Sequence, residues 1–76
     1  MALVKKVSKK EQERYSVHGE VEATYSVFEN DNGKYLQIDT YGLPSRQIPG
    51  KRSQSLQVDK DGARALINVL KEQFKL

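Results

Sequence analysis

Hydrophobic and polar residues alternate along two neighbouring stretches of the chain, in the pattern of half-buried β-strands. The first stretch, Glu20 to Phe28, has an apolar or aromatic residue at every second position. In the second stretch, Lys34 to Tyr41, Leu36 and Ile38 fall on one face and polar or tyrosine residues on the other. The sequence between them ends in Asn-Gly, which favours a tight hairpin because both residues tolerate positive φ. We therefore predict a β-hairpin from Glu20 to Tyr41.

A third alternating stretch, Ser53 to Val58, is followed by the pattern of an amphipathic helix. Asp59 is a favourable N-cap residue, and Asp61 adds negative charge to the first helical turn. Beyond it, apolar residues recur at helical spacing. They are Ala63, Leu66, Ile67, Leu70 and Phe74. This stripe is predicted to cover the apolar side chains of the strands. Those side chains are Leu36, Ile38, Leu56 and Val58.

The order of elements predicts an α+β fold, with a curved antiparallel sheet of about four strands followed by one C-terminal helix. The segment from Gly42 to Gly50 contains both prolines, so we expect a loop there, with a short strand near Arg46–Ile48 as an alternative. Residues 1–14 are predicted to be a flexible basic arm, and residues 15–76 the single folded domain. The apolar residues of the arm have the spacing of one helical turn. They are Leu3, Val4 and Val7.

Length and composition narrow the class of protein. A 76-residue chain is one small domain that buries a modest core, so oligomerisation is a natural way to add buried area. There is no cysteine, which fits a reducing compartment, and no apolar run long enough for a bilayer span or a signal peptide. We expect a soluble, cytoplasmic or nucleoid-associated protein that does not interact with membranes.

The sequence has few residues suited to catalysis or metal binding. His18 is the single histidine, and no acidic or cysteine ligands cluster around it in the sequence. No nucleophile–base set and no phosphate-binding glycine loop is present. We therefore predict no catalytic residues, no metal and no cofactor, and a protein that is not an enzyme.

Positive charge is distributed unevenly along the chain. Residues 1–14 contain five Lys or Arg against two Glu, whereas residues 15–76 contain eight basic and eight acidic residues. Within that neutral part, the stretch from Lys34 to Arg52 is basic and also contains two tyrosines. Tyrosines beside cations on a sheet are suited to stacking bases and neutralising phosphates. The candidate nucleic-acid-binding residues are Lys34, Tyr35, Tyr41, Arg46, Lys51 and Arg52. Tyr25, which alternates with the apolar residues of the first strand, is predicted to pack in the core.

The chain resembles the positive cofactor four family of single-stranded-DNA-binding transcriptional coactivators, which includes small bacterial and phage members. The resemblance runs from about Glu20 to Phe74 and depends on the order of short motifs. These are Gly33-Lys34, Leu36-Gln37-Ile38-Asp39, Pro49-Gly50-Lys51-Arg52 and the helix beginning after Asp59. It implies a homodimer with helices at the interface and strands facing single-stranded DNA. It also implies phosphate contacts by Lys34, Lys51 and Arg52.

The chain departs from that family in two respects. It has no tryptophan, so stacking would fall to tyrosines, and no basic residue lies between Tyr35 and Tyr41 on the second strand. The predicted function is single-stranded DNA binding with little sequence preference, in a transcription- or replication-related role, with RNA as the alternative nucleic acid.

A second hypothesis is a small protein-interaction or regulatory module that docks through its exposed sheet face. The zero net charge of residues 15–76 favours it, because strong nucleic-acid binders are usually basic. Reversing the charges of Lys51 and Arg52 would separate the two hypotheses, since it would harm nucleic-acid binding far more than protein binding.

Overall fold

The computed structural model describes residues 1–42 and 51–76, which form one sheet and one helix. The elements are β1 Ala2–Val4, β2 Ala23–Asn30, β3 Gly33–Tyr41, β4 Arg52–Val58 and α1 Lys60–Phe74. No helix within these described ranges has the length and apolar character needed to cross a bilayer.

The sheet has the strand order β1-β4-β3-β2. The hairpin strands β2 and β3 are antiparallel, as are β3 and β4, but β1 pairs in parallel with β4. The α+β class, four strands and C-terminal helix are confirmed. The expectation of a purely antiparallel sheet is wrong, because the fourth strand comes from the start of the chain and joins the edge of β4. The alternative strand near Arg46–Ile48 lies outside the described residues.

The start of the chain also differs from its prediction. Leu3 and Val4 belong to β1 and lie opposite Gln57 and Val58 of β4, so the expected helical turn is wrong there. Residues 2–4 are therefore part of the sheet, and an arm that is separate from the domain would have to begin after Val4. A three-residue segment is too short for its hydrophobic pattern to distinguish a strand from a helix. Pairing with the edge of β4 determines that it is a strand.

The β2–β3 hairpin has the predicted tight turn. Asn30 and Gly33 are directly paired at its end, and the side-chain oxygen of Asn30 accepts a hydrogen bond of 2.8 Å from the backbone N–H of Asn32. Gly33 has a φ of 150°, a conformation that L side chains rarely adopt. The turn therefore requires glycine at this position.

Strand pairing gives the sheet two chemically distinct faces, since directly opposite residues point to the same side. We call one the apolar face, and its apolar and aromatic residues are Ala2, Val4, Ala23, Tyr25, Val27, Leu36, Ile38, Leu56 and Val58. We call the other the polar face, which includes Leu3, Thr24, Phe28, Tyr35, Gln37, Asp39, Tyr41, Ser55 and Gln57.

Helix α1 begins as predicted, with Asp59 as its N-cap. The Asp59 carboxylate accepts a 2.9 Å hydrogen bond from the backbone N–H of Gly62, and it also forms an ion pair with Lys5. Asp61 lies in the first turn, where the helix dipole favours negative charge. The same carboxylate thus caps the helix and holds the residue that follows β1.

At Gly62 the helix lies close to the backbone of β1. A Cβ atom at this position would lie 2.0 Å from the carbonyl oxygen of Val4, a distance that no real contact reaches. Glycine is therefore needed for close approach, although it is a poor residue for a helix. It is also the one buried residue of α1.

The predicted packing of the helical stripe on the sheet is wrong for most of the stripe. Ile67, Leu70 and Phe74 are 50%, 39% and 69% exposed, and Val58 is the one apolar residue that is buried among the described residues. The half-buried positions of the helix are Ala65 and Leu66, which follow Gly62 at helical spacing. Much of the apolar stripe is therefore exposed in the part of the chain that the structure describes.

Candidate nucleic-acid interface

Two aromatic side chains form a stacked pair on the polar face. Phe28 of β2 and Tyr35 of β3 are directly opposite each other, and their ring centroids are 5.3 Å apart with an interplanar angle of 22°. Phe28 remains 41% exposed. Tyr35 was a predicted site residue, but Phe28 was missed. The alternation of β2 would have indicated it, because Phe28 falls on the polar side of an otherwise regular strand.

Tyr41 lies at the other end of β3 on the same face. Its hydroxyl is 2.8 Å from the hydroxyl of Thr24, across the hairpin. Tyr41 lies six positions after Tyr35 in β3, a span of about 20 Å along a strand. The two predicted tyrosines therefore flank the polar face and do not form one platform.

Four polar side chains fill the space between the tyrosines and form a continuous hydrogen-bonded array. Gln57 donates to the Gln37 side-chain oxygen at 2.9 Å, and Gln37 donates to the two carboxylate oxygens of Asp39 at 3.0 and 3.2 Å. The hydroxyl of Ser55 also donates to Asp39. Because each donor has a defined acceptor, the array is fixed in orientation.

Asp39 is the centre of this array and carries its negative charge. The hydrogen bond from Ser55 is the main cause of a lowered pKa for the Asp39 carboxyl, and hydrogen bonding from Gln37 and the positive charge of Arg52 act in the same direction. Partial burial raises the pKa but does not outweigh these effects. The carboxylate is therefore ionised at neutral pH and acts as an acceptor only.

Arg52 lies beside this carboxylate. Its Nη1 atom is 3.7 Å from Asp39 Oδ1, and its side chain is 47% exposed. A register shift between Thr40 and Tyr41 pairs Arg52 with Tyr41, which places both residues at the same end of the polar face. The predicted cation is thus on the tyrosine face, although part of its charge is balanced by Asp39.

The remaining predicted cations are not gathered with the tyrosines. Lys34 is opposite Glu29 and alternates with Tyr35, so it belongs to the side of the sheet that carries Leu36. Lys51 is exposed just before β4. Arg46 lies outside the described residues. The structure therefore places Tyr35, Tyr41 and Arg52 on one face, with Arg52 beside Tyr41 and Tyr35 at the other end, and places Lys34 on the opposite face.

A shallow depression of about 300 Å³ opens on the polar face next to β1. Arg52, Ser55 and the two glutamines of the array line it, and Met1 and Leu3 form its wall. Sequence reasoning missed this contribution of the N-terminal residues, because nothing in the pattern of residues 1–7 indicated a parallel edge strand.

Tyr25 differs from its predicted role. It lies on the apolar face, as the alternation indicated, but it is 74% exposed. Within the single chain it is therefore not a core residue. With Val27, it belongs to the exposed part of the apolar face.

Comparison of the chain with known proteins identifies no relative. No family model matches the chain, and neither a curated protein nor a solved structure is significantly similar to it. The resemblance to the positive cofactor four family therefore stays a prediction.

Proposed function

We propose that the protein binds single-stranded nucleic acid, with DNA as the expected ligand, through the polar face of its sheet. The observation that carries the proposal is the stacked Phe28–Tyr35 pair, which is partly exposed on a face that no other described element covers. Aromatic rings on a sheet provide stacking surfaces for bases of any sequence, worth about 1–3 kcal/mol for each base.

The charges around this face support the same proposal. Arg52 lies on the polar face at the start of β4, and the exposed Lys51 immediately precedes it. Both side chains can therefore contact the phosphates of a nucleic-acid strand that crosses the sheet. The N-terminal segment adds a net charge of +3. Phosphate neutralisation by such residues gives affinity that falls with salt concentration.

The apolar surface supports a homodimer as the binding species. The apolar face and α1 together expose large hydrophobic side chains in a chain that buries little of its own apolar surface. They are Tyr25, Val27, Leu56, Ile67, Leu70 and Phe74. A second copy packed on this side would supply the missing core, as small domains often require. It would leave the polar face, on the opposite side of the sheet, open to the nucleic acid.

Two alanine substitutions on opposite sides of the sheet test the proposal. Phe28→Ala removes half of the stacked pair and should weaken binding of a labelled oligothymidine about 5- to 100-fold, the equivalent of one stacked base. Tyr25→Ala removes an aromatic ring of the same strand from the apolar face and should leave the affinity per dimer within about twofold. Fluorescence anisotropy measures both, and equal losses for the two variants would contradict the proposed face.

The alternative function is a protein-interaction module that uses the same polar face. The observation that favours it is the Arg52–Asp39 ion pair, because a balanced charge is less suited to phosphate than a free cation. A protein ligand would bind with little response to reversal of the Lys51 and Arg52 charges, whereas nucleic-acid binding would be lost.

A further inference from the structure

We propose that the depression on the polar face beside β1 is a base subsite that prefers guanine. The inference rests on the proposed function and goes beyond it, because stacking alone accepts every base. The subsite combines the guanidinium of Arg52 with the outer end of the Gln37–Gln57 pair, and Leu3 forms its apolar wall.

Arg52 provides the donors of the subsite. Its separation of 3.7 Å from Asp39 is an ion pair but exceeds the length of a hydrogen bond between charged groups. The contact therefore orients the guanidinium without occupying its N–H groups. Arginine donates two parallel hydrogen bonds to O6 and N7 of guanine, the commonest base-specific contact in protein–DNA complexes.

The amide array provides an acceptor with a fixed orientation. Asp39 is ionised, so Gln37 must turn its NH₂ group toward the carboxylate and its oxygen toward Gln57. Gln57 then donates to Gln37, and its side-chain oxygen accepts no hydrogen bond from residues 1–42 or 51–76, which leaves it for a ligand. Guanine has N–H donors at N1 and N2 that such an oxygen can accept, in addition to the acceptors that match Arg52.

The other bases fit these groups less well. Adenine places an amino group where guanine has O6, which sets donor against donor at Arg52. Cytosine also presents an amino group, and thymine has a carbonyl oxygen but no N7 partner beside it. The subsite is therefore expected to discriminate by hydrogen bonding, while the aromatic pair stacks whichever base is adjacent.

The position of the subsite suits a strand that crosses the sheet. Tyr35 and Gln37 are two residues apart on the same face of β3, about 7 Å along the strand. A base in the depression would thus have its neighbour over the Phe28–Tyr35 pair. The ribose–phosphate backbone would pass near Lys51 and Arg52.

The test compares three labelled single strands of equal length by fluorescence anisotropy. They are oligothymidine, the same strand with isolated guanines, and that strand with 7-deazaguanine in place of guanine. The guanine strand should bind at least about fivefold more tightly than oligothymidine, in line with a bidentate arginine contact. The 7-deaza strand should lose most of that gain, because it retains the stacking surface but lacks N7.

Protein variants assign the preference to the subsite. Arg52→Lys keeps the positive charge and loses the planar fork, so whatever its affinity for oligothymidine, it should bind the guanine strand no more tightly than oligothymidine. Lys51→Gln is the matched control, which should weaken all three strands equally. Circular dichroism is used to check that each variant is folded. The 7-deazaguanine strand tests the subsite without any change to the protein.

The outcomes separate the subsite from the proposed function. Binding of all three strands with equal affinity would overturn the guanine subsite and leave single-strand binding standing. A guanine preference that persists in Arg52→Lys, or with 7-deazaguanine, would also overturn it. Failure to bind any of the strands at low salt would overturn both.

Discussion

Gly62 is the residue on which the docking of the first strand against the helix depends. Its Cα faces the carbonyl oxygen of Val4 at a distance that leaves no room for a side chain. From the sequence alone, a glycine in the first turn of a helix is expected only to lower the stability of that helix slightly. The structure gives it a positive role, since any larger residue would displace β1 or rotate α1.

Replacement of Gly62 by alanine should therefore destabilise the protein, against the usual trend for helices. We expect a loss of about 1–3 kcal/mol in the free energy of unfolding, the range for overpacked sites. In a chain that lacks residues 1–4, the same substitution should be neutral or stabilising by up to about 1 kcal/mol, because only the helix propensity remains. Urea denaturation measures both, and a stabilised full-length variant would contradict the close contact.

Asp59 gives the fold a dependence on acid pH. The hydrogen bond from Lys5 is the main cause of a lowered pKa for the Asp59 carboxyl, and the backbone N–H of Gly62 acts in the same direction. A group whose pKa is lower in the folded state stabilises the fold above its unfolded pKa of about 4 and loses that contribution as the pH falls further. Stability should decline below about pH 4.

Asp59→Asn isolates this contribution, because asparagine is also a good N-cap but carries no charge. The variant should be less stable than the wild type at neutral pH, and its stability should decline less steeply below about pH 4. Asp39 also has a lowered pKa, so some decline should remain in this variant. Thermal unfolding at a series of pH values gives the comparison. Parallel curves for variant and wild type would contradict the role of the Lys5–Asp59 pair.

At the scale of elements, the sequence predicts the local structure well and the packing poorly. The β2–β3 hairpin, strand β4 and the capped helix follow from alternation, the Asn-Gly turn and Asp59, which are local signals. The parallel pairing of β1 depends on the edge of β4 some 50 residues away in sequence, and three residues carry no pattern that could reveal it. The close approach of α1 to Val4 at Gly62 depends on the same distant pairing.

The candidate site shows the same division. Strand alternation correctly placed Tyr35 and Tyr41 on one face, and it could also have indicated Phe28 opposite Tyr35. It could not show that Arg52 would join the tyrosine face, because that depends on a register shift beside Tyr41. The prediction treated Lys34 as a neighbour of Tyr35, although adjacent residues in a strand point to opposite sides.

At the scale of the whole molecule, the uncovered apolar surface is the dominant feature. Across residues 1–42 and 51–76, much of the apolar face and of the helical stripe is exposed, which leaves an isolated chain poorly stabilised. Burial of such surface is the main driving force for association. A homodimer through this side would give the protein two polar faces. Two linked faces would raise the affinity for a long single strand above that of either face alone.

Leu70→Glu tests the dimer, because it places a charge in the centre of the exposed helical stripe. Sedimentation equilibrium of the wild type should give twice the chain mass at micromolar concentration, and the variant should shift toward the monomer or lose its fold. Asn68→Glu adds the same charge to the same helix at an exposed polar position and should leave the dimer intact. A wild type that is folded and monomeric at all concentrations would contradict the proposed interface.

The most direct test of single-strand binding is a salt-series titration of the wild type by fluorescence anisotropy. A labelled oligothymidine of about 20 nucleotides, long enough for several bases per site, is compared with a duplex of equal length. The account predicts clear preference for the single strand and an affinity that falls steadily between about 50 and 200 mM salt, as phosphate contacts require. Absence of binding to either oligonucleotide at low salt, or equal binding to both, would contradict it and leave the polar face as a surface for a protein partner.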